Sequence, residues 1–309
     1  MLRLQKVRKE YDDVVAVDDL DLKIEAGEIF GLIGPNGAGK TTTIRMACGL
    51  LQPTAGRVSV GGLDIHQNPE AAQRYIGYLS DFFSVYEDLK VWEYLDYFAH
   101  AYKMPEADIP SRIDEVILQS GLDVKRDAFI EGLSRGMKQR LGIARAVIHS
   151  PRLLLLDEPA SGLDPKARVE LRNLLLSERD RGATILISSH ILTELEGFCT
   201  SIGLMEKGRM VRSGAIGTIA TAETRNRAVR VRWLGNPDAN IESLLKGQPN
   251  VAGVMVKGAE AVFSFGGAEE QLAAILAELV SNRIEVVSFG EVKQTIEDLY
   301  MKISSHGVM

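Results

Sequence analysis

No stretch of this sequence approaches the roughly 18 consecutive apolar residues that a membrane-spanning helix needs, and its start, "MLRLQKVRKEYDD", has no apolar core of a signal peptide. The chain is therefore expected in the cytoplasm, reaching a membrane only if another protein holds it there. Cysteine is scarce. Cys48 and Cys199 are the only two, far apart and without a CxxC or CxxH neighbour, which excludes a disulfide framework and a zinc ribbon and leaves both as reduced packing residues. Positive charge is in deficit: 36 Lys and Arg against 42 Asp and Glu give a net charge of −6. That balance argues against a general nucleic-acid coat, although a local basic site is compatible with it. Internal repeats and low-complexity tracts are absent too. What remains is ordinary for a protein with a full core: 309 residues, 45% hydrophobic and 25% charged, enough for one large α/β domain or a medium domain with a smaller companion.

Periodicity divides the chain. The segments "LRLQKVRKEY", "AVDDLDLKI" and "EIFGLIG" have strand spacing, and a helix is expected from Lys40 to about Leu50. Next come a strand near Arg57–Val60, a short helix after Pro69 and a strand at Tyr75–Leu79. A helical stretch follows over Val91–Ser120, broken at Met104-Pro105. Beyond Ser134 the reading is helix, strand (Leu153–Leu156), helix, strand (Thr184–Ser188), helix, and two strands near Ile202–Met205 and Arg209–Ser213. Apolar strands alternating with helices predict a largely parallel sheet covered on both faces. After about Gly217 the texture shifts to β-α-β-β-α-β, with helices expected at Pro237–Lys246, Ala268–Asn282 and Glu291–Lys302. Two domains are expected, 1–217 and a small α+β module, 218–309.

Two stretches carry chemistry. "GPNGAGKT", Gly34–Thr41, fits G-x-x-x-x-G-K-[ST] between a predicted strand and a predicted helix. Glycines let the backbone curl around a phosphate chain with N–H groups pointing inward, and the helix N-terminus favours an anion there. Lys40 has the reach for β and γ phosphates and Thr41 a hydroxyl for Mg²⁺; a glycine-rich helix cap is the plain alternative. "LLLLDEP" reads as a central strand that delivers Asp157 and Glu158 to its C-terminal end, where open α/β sheets bind ligands. Asp157 suits a metal shell and Glu158 the polarising of a water, while a carboxylate pair after a strand is elsewhere often a helix cap. A further loop, "LSRGMKQR", begins with Ser134 as a good N-cap for the helix "KQRLGIARAV".

"GPNGAGKTT", "LSRGMKQR", "LLLLDEP", "SGLD" and "SSH", in this order, resemble the ATP-binding cassette (ABC) superfamily over about residues 2–215. The tail is similar to the C-terminal extension of ATP-binding subunits in bacterial exporters. The resemblance implies a P-loop NTPase cassette of α/β class with a mainly parallel core sheet, a β subdomain and a helical subdomain, plus the small C-terminal α+β module. It implies an ATPase that uses ATP and Mg²⁺ to drive separate integral-membrane permease subunits from the cytoplasmic face of the cell membrane. A second ATP-binding subunit, identical or related, would complete the dimer. No nucleic acid is expected as partner: the cassette ATPases of DNA repair and translation carry coiled-coil insertions, zinc motifs or two cassettes, and none is here.

Residue by residue, the resemblance places the phosphates on Gly34, Pro35, Asn36, Gly37, Ala38, Gly39, Lys40, Thr41 and Thr42. It sets the adenine on Tyr11, with Val17 bordering it. Ser134, Gly136 and Met137 of the signature loop would meet the γ-phosphate of ATP held by the other subunit, and Asp164 would close the loop that crosses the dimer interface. Glu158 would be the general base, His190 the γ-phosphate switch, and Thr41, Asp81 and Asp157 the metal residues. Two departures stand out: Asp81 replaces the usual glutamine (with Ser80 for proline), and the signature has Arg135 where a glycine is usual and Met137 for glutamine. Directly after Asp81, Phe82–Tyr102 holds eight of the chain's 19 aromatics, expected to serve partly as helical core and partly as a dock for a permease helix.

Overall fold

The structure, a computed structural model, describes residues 1–191, 195, 197–216, 227–235 and 240–291. Most of the expected helix after His190, the beginning of the one at Pro237, nearly all of the one at Glu291–Lys302, and His306 lie outside the described residues. The chain divides into two compact units, Met1–Ile216 and Gly217–Met309.

In the first unit the long strands β1 (Leu2–Tyr11) and β2 (Val14–Ile24) form an antiparallel hairpin, with Leu4 opposite Leu22 and Tyr11 opposite Val14. Leu2, Leu4 and Val7 from one strand and Leu20, Leu22 and Ile24 from the other point inward and are buried, the alternation expected of a sheet with one face on the core. β4 (Ala55–Val60) and the two-residue β5 (Leu63–Asp64) complete a sheet of order β2-β1-β4-β5.

The second sheet sets the site. β3 (Ile29–Ile33), β6 (Ile76–Leu79), β7 (Leu153–Leu156), β8 (Thr184–Ser189), β9 (Ser201–Glu206) and β10 (Arg209–Ala215) lie in the order β10-β9-β3-β8-β7-β6. All neighbours are parallel except the β9–β10 hairpin. Every residue of β3, β7 and β8 is buried; β3 and β7 read as unbroken apolar runs rather than alternations, while β8 buries the hydroxyls of Thr184, Ser188 and Ser189 around an apolar centre. Helix α1 (Lys40–Ala47) follows β3 and α2 (Pro69–Gln73) precedes β6; α3 (Val91–Ala101), α4 (Ile109–Gln119) and α5 (Arg135–Val147) come together between β6 and β7, and α6 (Pro165–Asp180) joins β7 to β8.

One expectation needs correction. α5 begins at Arg135, not Lys138, because Ser134 caps it from one residue earlier, its Oγ accepting from the Met137 N–H at 3.3 Å. At the other end of α5, the nearly buried Arg112 of α4 donates to the carbonyls of Val147 (2.6 Å) and Ile148 (3.1 Å), putting a cation on the negative end of the helix.

Just past α5, His149 donates from Nε2 to the Ile76 carbonyl (3.1 Å) and stacks on Tyr102 at 3.7 Å between ring centres. Burial pushes its pKa down to about 4. Between pH 6.5 and 4 the unfolded chain therefore takes up a proton at this ring that the folded chain refuses, so stability falls as the pH falls through that window. The effect is on the order of 3 kcal/mol when fully developed. Denaturant unfolding from pH 7 to 4 should show His149→Phe losing that part of the slope; an unchanged slope would show that the ring titrates normally.

In the second unit, β11 (Arg227–Trp233), β12 (Val251–Lys257), β13 (Glu260–Phe265) and β14 (Val286–Glu291) form an antiparallel sheet of order β12-β13-β11-β14. Helices Ile241–Lys246 and Glu269–Ser281 supply Leu245, Ile275 and Leu279 to a core with Val229, Val231, Phe263 and Phe265. The described elements follow the β-α-β-β-α-β order.

Candidate nucleotide-binding site

The phosphate-type loop runs from the C-terminal end of β3, a central strand of the six, into α1. Two glycines are dictated by the fold. Gly39 caps α1 with φ +101°, and a Cβ there would stand 2.5 Å from the Ala16 carbonyl oxygen; one on Gly34 would collide with the Met205 backbone carbonyl. The conformation excludes L side chains at Gly39 and the space excludes them at both. The loop is also stapled from outside. The Gly208 N–H donates to the Ala38 carbonyl (3.0 Å), and the Gly208 carbonyl accepts from the Asp18 N–H (2.8 Å). Thus the β9–β10 turn ties the loop to β2.

Lys40 is only 5% exposed. Its ammonium donates to the Gly34 carbonyl (2.6 Å) and the Pro35 carbonyl (3.2 Å) and lies 3.3 Å from Glu158 Oε1. It is held inside the loop's curl by oxygens alone, the surroundings an ammonium needs when taken from water. Thr41 and Thr42 are half-buried beside it, Asn36 and Gly37 exposed, and Ala38 buried.

β7 delivers the two carboxylates. Asp157 is fully buried; its Oδ1 accepts from Ser188 Oγ at 2.7 Å, while its Oδ2 has no hydrogen-bond partner. Glu158 follows with φ +51°, a left-handed conformation costing a non-glycine residue about 1–2 kcal/mol. Its N–H donates to the same Ser188 Oγ at 3.0 Å. The turn aims the side chain so that Oε1 meets Lys40 and Oε2 accepts from His190 Nδ1 at 2.8 Å. Lys40, Asp157, Glu158 and His190, drawn from three strand ends, are therefore brought together. Ser188 belongs with them; it opens the "SSH" motif, in which the resemblance gives a role only to His190, and its signal is a hydroxyl directly after the apolar run Ile185–Ile187.

Asp81, half-buried after β6, lines a pocket of about 610 Å³ with Phe83, Leu133, Arg135, Glu158 and Ser161. Burial, with Asp157 and Glu158 as like charges, pushes its carboxyl above the usual range; Arg135 and His190 oppose the shift. Arg135 lies against the turn at Gly162, its Cζ 3.1 Å from where a Cβ of that residue would stand. The nearby Gln139 of α5 donates to the Pro159 carbonyl at 3.1 Å. Within one chain the start of α5 is thus fastened to the segment after Glu158. Ser134 and Arg135 are exposed, Gly136 and Met137 half-buried.

Other expected positions fall differently. Tyr11 is 43% exposed at the end of β1, with Lys9 Nζ 5.1 Å from its ring centre, so a face is available for stacking. Val17 is fully buried in the core behind Gly39. Strand alternation turns it inward, and the expectation that it borders a base is not carried by this geometry. Asp164 caps α6, accepting from the Ala167 N–H at 2.8 Å. The aromatic segment divides: Tyr94 is core at 0% exposure, whereas Phe82 is 87% and Tyr86 55% exposed.

A bound Mg²⁺ finds fitting donors here. The orphaned, buried Asp157 Oδ2 is costly unless a cation or water meets it. Mg²⁺ commonly keeps several waters and takes one or two carboxylates plus substrate phosphates, a demand that one such buried oxygen can help meet.

A family model described as "ABC transporter" matches residues 17–161, and one described as "AAA domain, putative AbiEii toxin, Type IV TA system" matches residues 130–196. The "Nod factor export ATP-binding protein I" of Neorhizobium galegae is 36% identical over 301 residues, covering 97% of this chain and 84% of that protein. Its namesake in Cupriavidus metallidurans is 39% identical over 214 residues, 69% of this chain and 71% of its own length. Among solved structures, an ATP-binding subunit of an ABC transporter superposes with a TM-score of 0.67 at 32% identity, covering 72% of this chain and 92% of that one. A dimeric bacterial ABC transporter cassette gives 0.65 at 25% identity, covering 70% and 99%; a post-hydrolysis form of it, bound to ADP and Pi, aligns equally well.

Proposed function

The chain belongs to the ATP-binding proteins of ABC transporters, and from that premise we propose that it powers an exporter, hydrolysing Mg²⁺-bound ATP between two such subunits. The family makes it an ATPase; the cluster around Glu158 supports the assignment of roles. Lys40 holds the phosphates within Gly34–Thr42, and Tyr11 stacks on the adenine. Thr41, Asp157 and Asp81 would hold a Mg²⁺, which would supply charge neutralisation at the phosphates. Glu158 Oε2 takes the proton of the attacking water, and His190, hydrogen-bonded to that oxygen, orients it. A triphosphate in the loop competes with Glu158 Oε1 for the Lys40 ammonium, which frees the carboxylate for this work.

Ser134, Gly136 and Met137 serve the site of a second subunit, identical or related, and Asp164 orders the loop at that interface. The exposure of Ser134 at a helix N-terminus supports this reading. Phe82 and Tyr86, exposed beside the Asp81 pocket, would seat a helix of the membrane subunits. No helix among the described residues is long and apolar enough to cross a membrane; attachment to the cytoplasmic face runs through the permease. The relatives named for export support the direction of transport. We read residues 1–217 as the cassette domain and 218–309 as the small α+β domain, a division supported by the two compact units.

Ser134→Arg tests the two-subunit site. ATP binding to the isolated chain should stay within about threefold of the parent, while the ATP-dependent dimer and turnover fall to background. Bringing a second cation and a long side chain to a phosphate-facing cap removes the N-cap as well, at about 1 kcal/mol, too little to unfold the chain. A dimer that still forms with ATP on gel filtration would rule out the signature loop as half of a shared site.

A further inference from the structure

We infer that Ser188 is the positioning residue for both carboxylates of the site, orienting Asp157 for a divalent cation and holding Glu158 in its left-handed turn. This rests on the reading of Asp157 as the metal-holding carboxylate. Ser188 is fully buried on β8, where Leu32 pairs with it across the sheet and the preceding Ile187 pairs with Leu156. A serine in that place must satisfy its hydroxyl inside the protein. It does so twice, donating to Asp157 Oδ1 at 2.7 Å and accepting from the Glu158 N–H at 3.0 Å. Its neighbour Ser189 is engaged with Ile191 instead, accepting from that N–H at 2.9 Å, so the two adjacent serines do different work.

The consequences follow from counting lone pairs. With Oδ1 occupied by Ser188, the unpartnered Oδ2 is the oxygen Asp157 turns to a cation. The bond fixes the carboxylate's rotation, because a buried, charge-assisted O–H···O⁻ bond at this distance is among the stronger kinds. The bond from the Glu158 N–H keeps that residue's backbone at φ +51°, the orientation that delivers Oε1 to Lys40 and Oε2 to His190. One hydroxyl thus couples the rotation of the metal carboxylate to the aim of the base.

The experiment measures affinity for a non-hydrolysable ATP analogue in chelator and in Mg²⁺, for the parent, Ser188→Ala, Ser188→Thr and Asp157→Asn. The readout is the ratio of the two affinities. Ser188→Ala should lower that ratio roughly tenfold, in line with losing a hydrogen bond to a charged group, and leave affinity in chelator within about twofold. Ser188→Thr keeps the hydroxyl, and a cavity of about 20 Å³ bordered by Ser188, Ala160, Leu195 and Phe198 gives its methyl room, so it should restore the ratio. Asp157→Asn should collapse it. If Asp157→Asn leaves the ratio intact, the reading of the metal site fails. If it collapses the ratio and Ser188→Ala does not, the role of Ser188 is overturned. That role is equally overturned if Ser188→Ala weakens binding to the same extent in chelator, or if Ser188→Thr fails to rescue.

Discussion

Glu158→Gln should bind ATP as well as the parent or slightly better, and turn it over roughly 10²–10⁴-fold more slowly, the usual worth of a positioned general base. The geometry argues for so clean a separation. Glutamine has the same length, and the backbone that aims it is held by Ser188, not by the side chain. Its amide oxygen still accepts from His190 Nδ1, so His190 keeps its partner. What disappears is the basicity needed to take a proton, together with one negative charge close to Lys40, and therefore close to the phosphates. Binding is relieved of repulsion while chemistry stops. The dimer should then accumulate with ATP trapped in it, visible as an ATP-dependent shift in gel filtration with little phosphate released. Turnover within a few-fold of the parent would remove Glu158 from the role of base.

Lys40→Ala should fail differently, losing binding and turnover together and some stability besides. The ammonium is nearly buried, and its removal strands Glu158 Oε1 and the carbonyls of Gly34 and Pro35. Deleting one partner of a buried pair costs about 3–5 kcal/mol because the other charge is left behind. At the phosphates the loss of one point charge should weaken ATP about a hundredfold or more, the upper end of hydrogen bonds to charged groups. The double variant Lys40→Ala/Glu158→Gln separates these effects. Its unfolding midpoint should recover much of the loss, since no unpaired carboxylate remains, whereas ATP affinity should stay low. A single variant that keeps parental affinity would place the triphosphate away from this loop.

The parts of the site legible in the sequence are those in which local chemistry dictates residue type. Gly34 and Gly39 are glycines because a backbone carbonyl occupies the space of a side chain, and Leu153–Leu156 is apolar throughout because both faces are covered. The phosphate loop, the strand and the carboxylates after it therefore announce themselves. The start of α5 is less legible: Arg135 and Gly136 interrupt the apolar spacing, and the cap at Ser134 sets the boundary. Val17 reads in sequence as available to a base, yet the pleat of β2 turns it inward. The two bonds of Ser188 cannot be read from its neighbours in sequence, since its partners Asp157 and Glu158 follow another strand. Nor can the packing of Arg135 on Gly162, two residues separated by most of α5, a strand and a turn. The left-handed backbone of Glu158 leaves no mark on composition at all.

The pairing of β3 has a consequence for how the protein is made. This strand is complete once Ile33 has been added, but it bonds to Ile185–Ser189 on one side and Ser201–Leu204 on the other. At roughly 5–20 residues per second, the ribosome takes about 8–30 s to supply the first of those partners. For that interval the apolar strand and the loop it carries lack the neighbours that flank the strand in the folded chain, and unpaired apolar strand edges are prone to aggregate. The last bracing bond to the phosphate loop, from Gly208, comes later still. Nucleotide therefore cannot meet a finished cradle until nearly the whole first unit has been synthesised, and a nascent chain truncated before residue 208 should be unable to retain ATP.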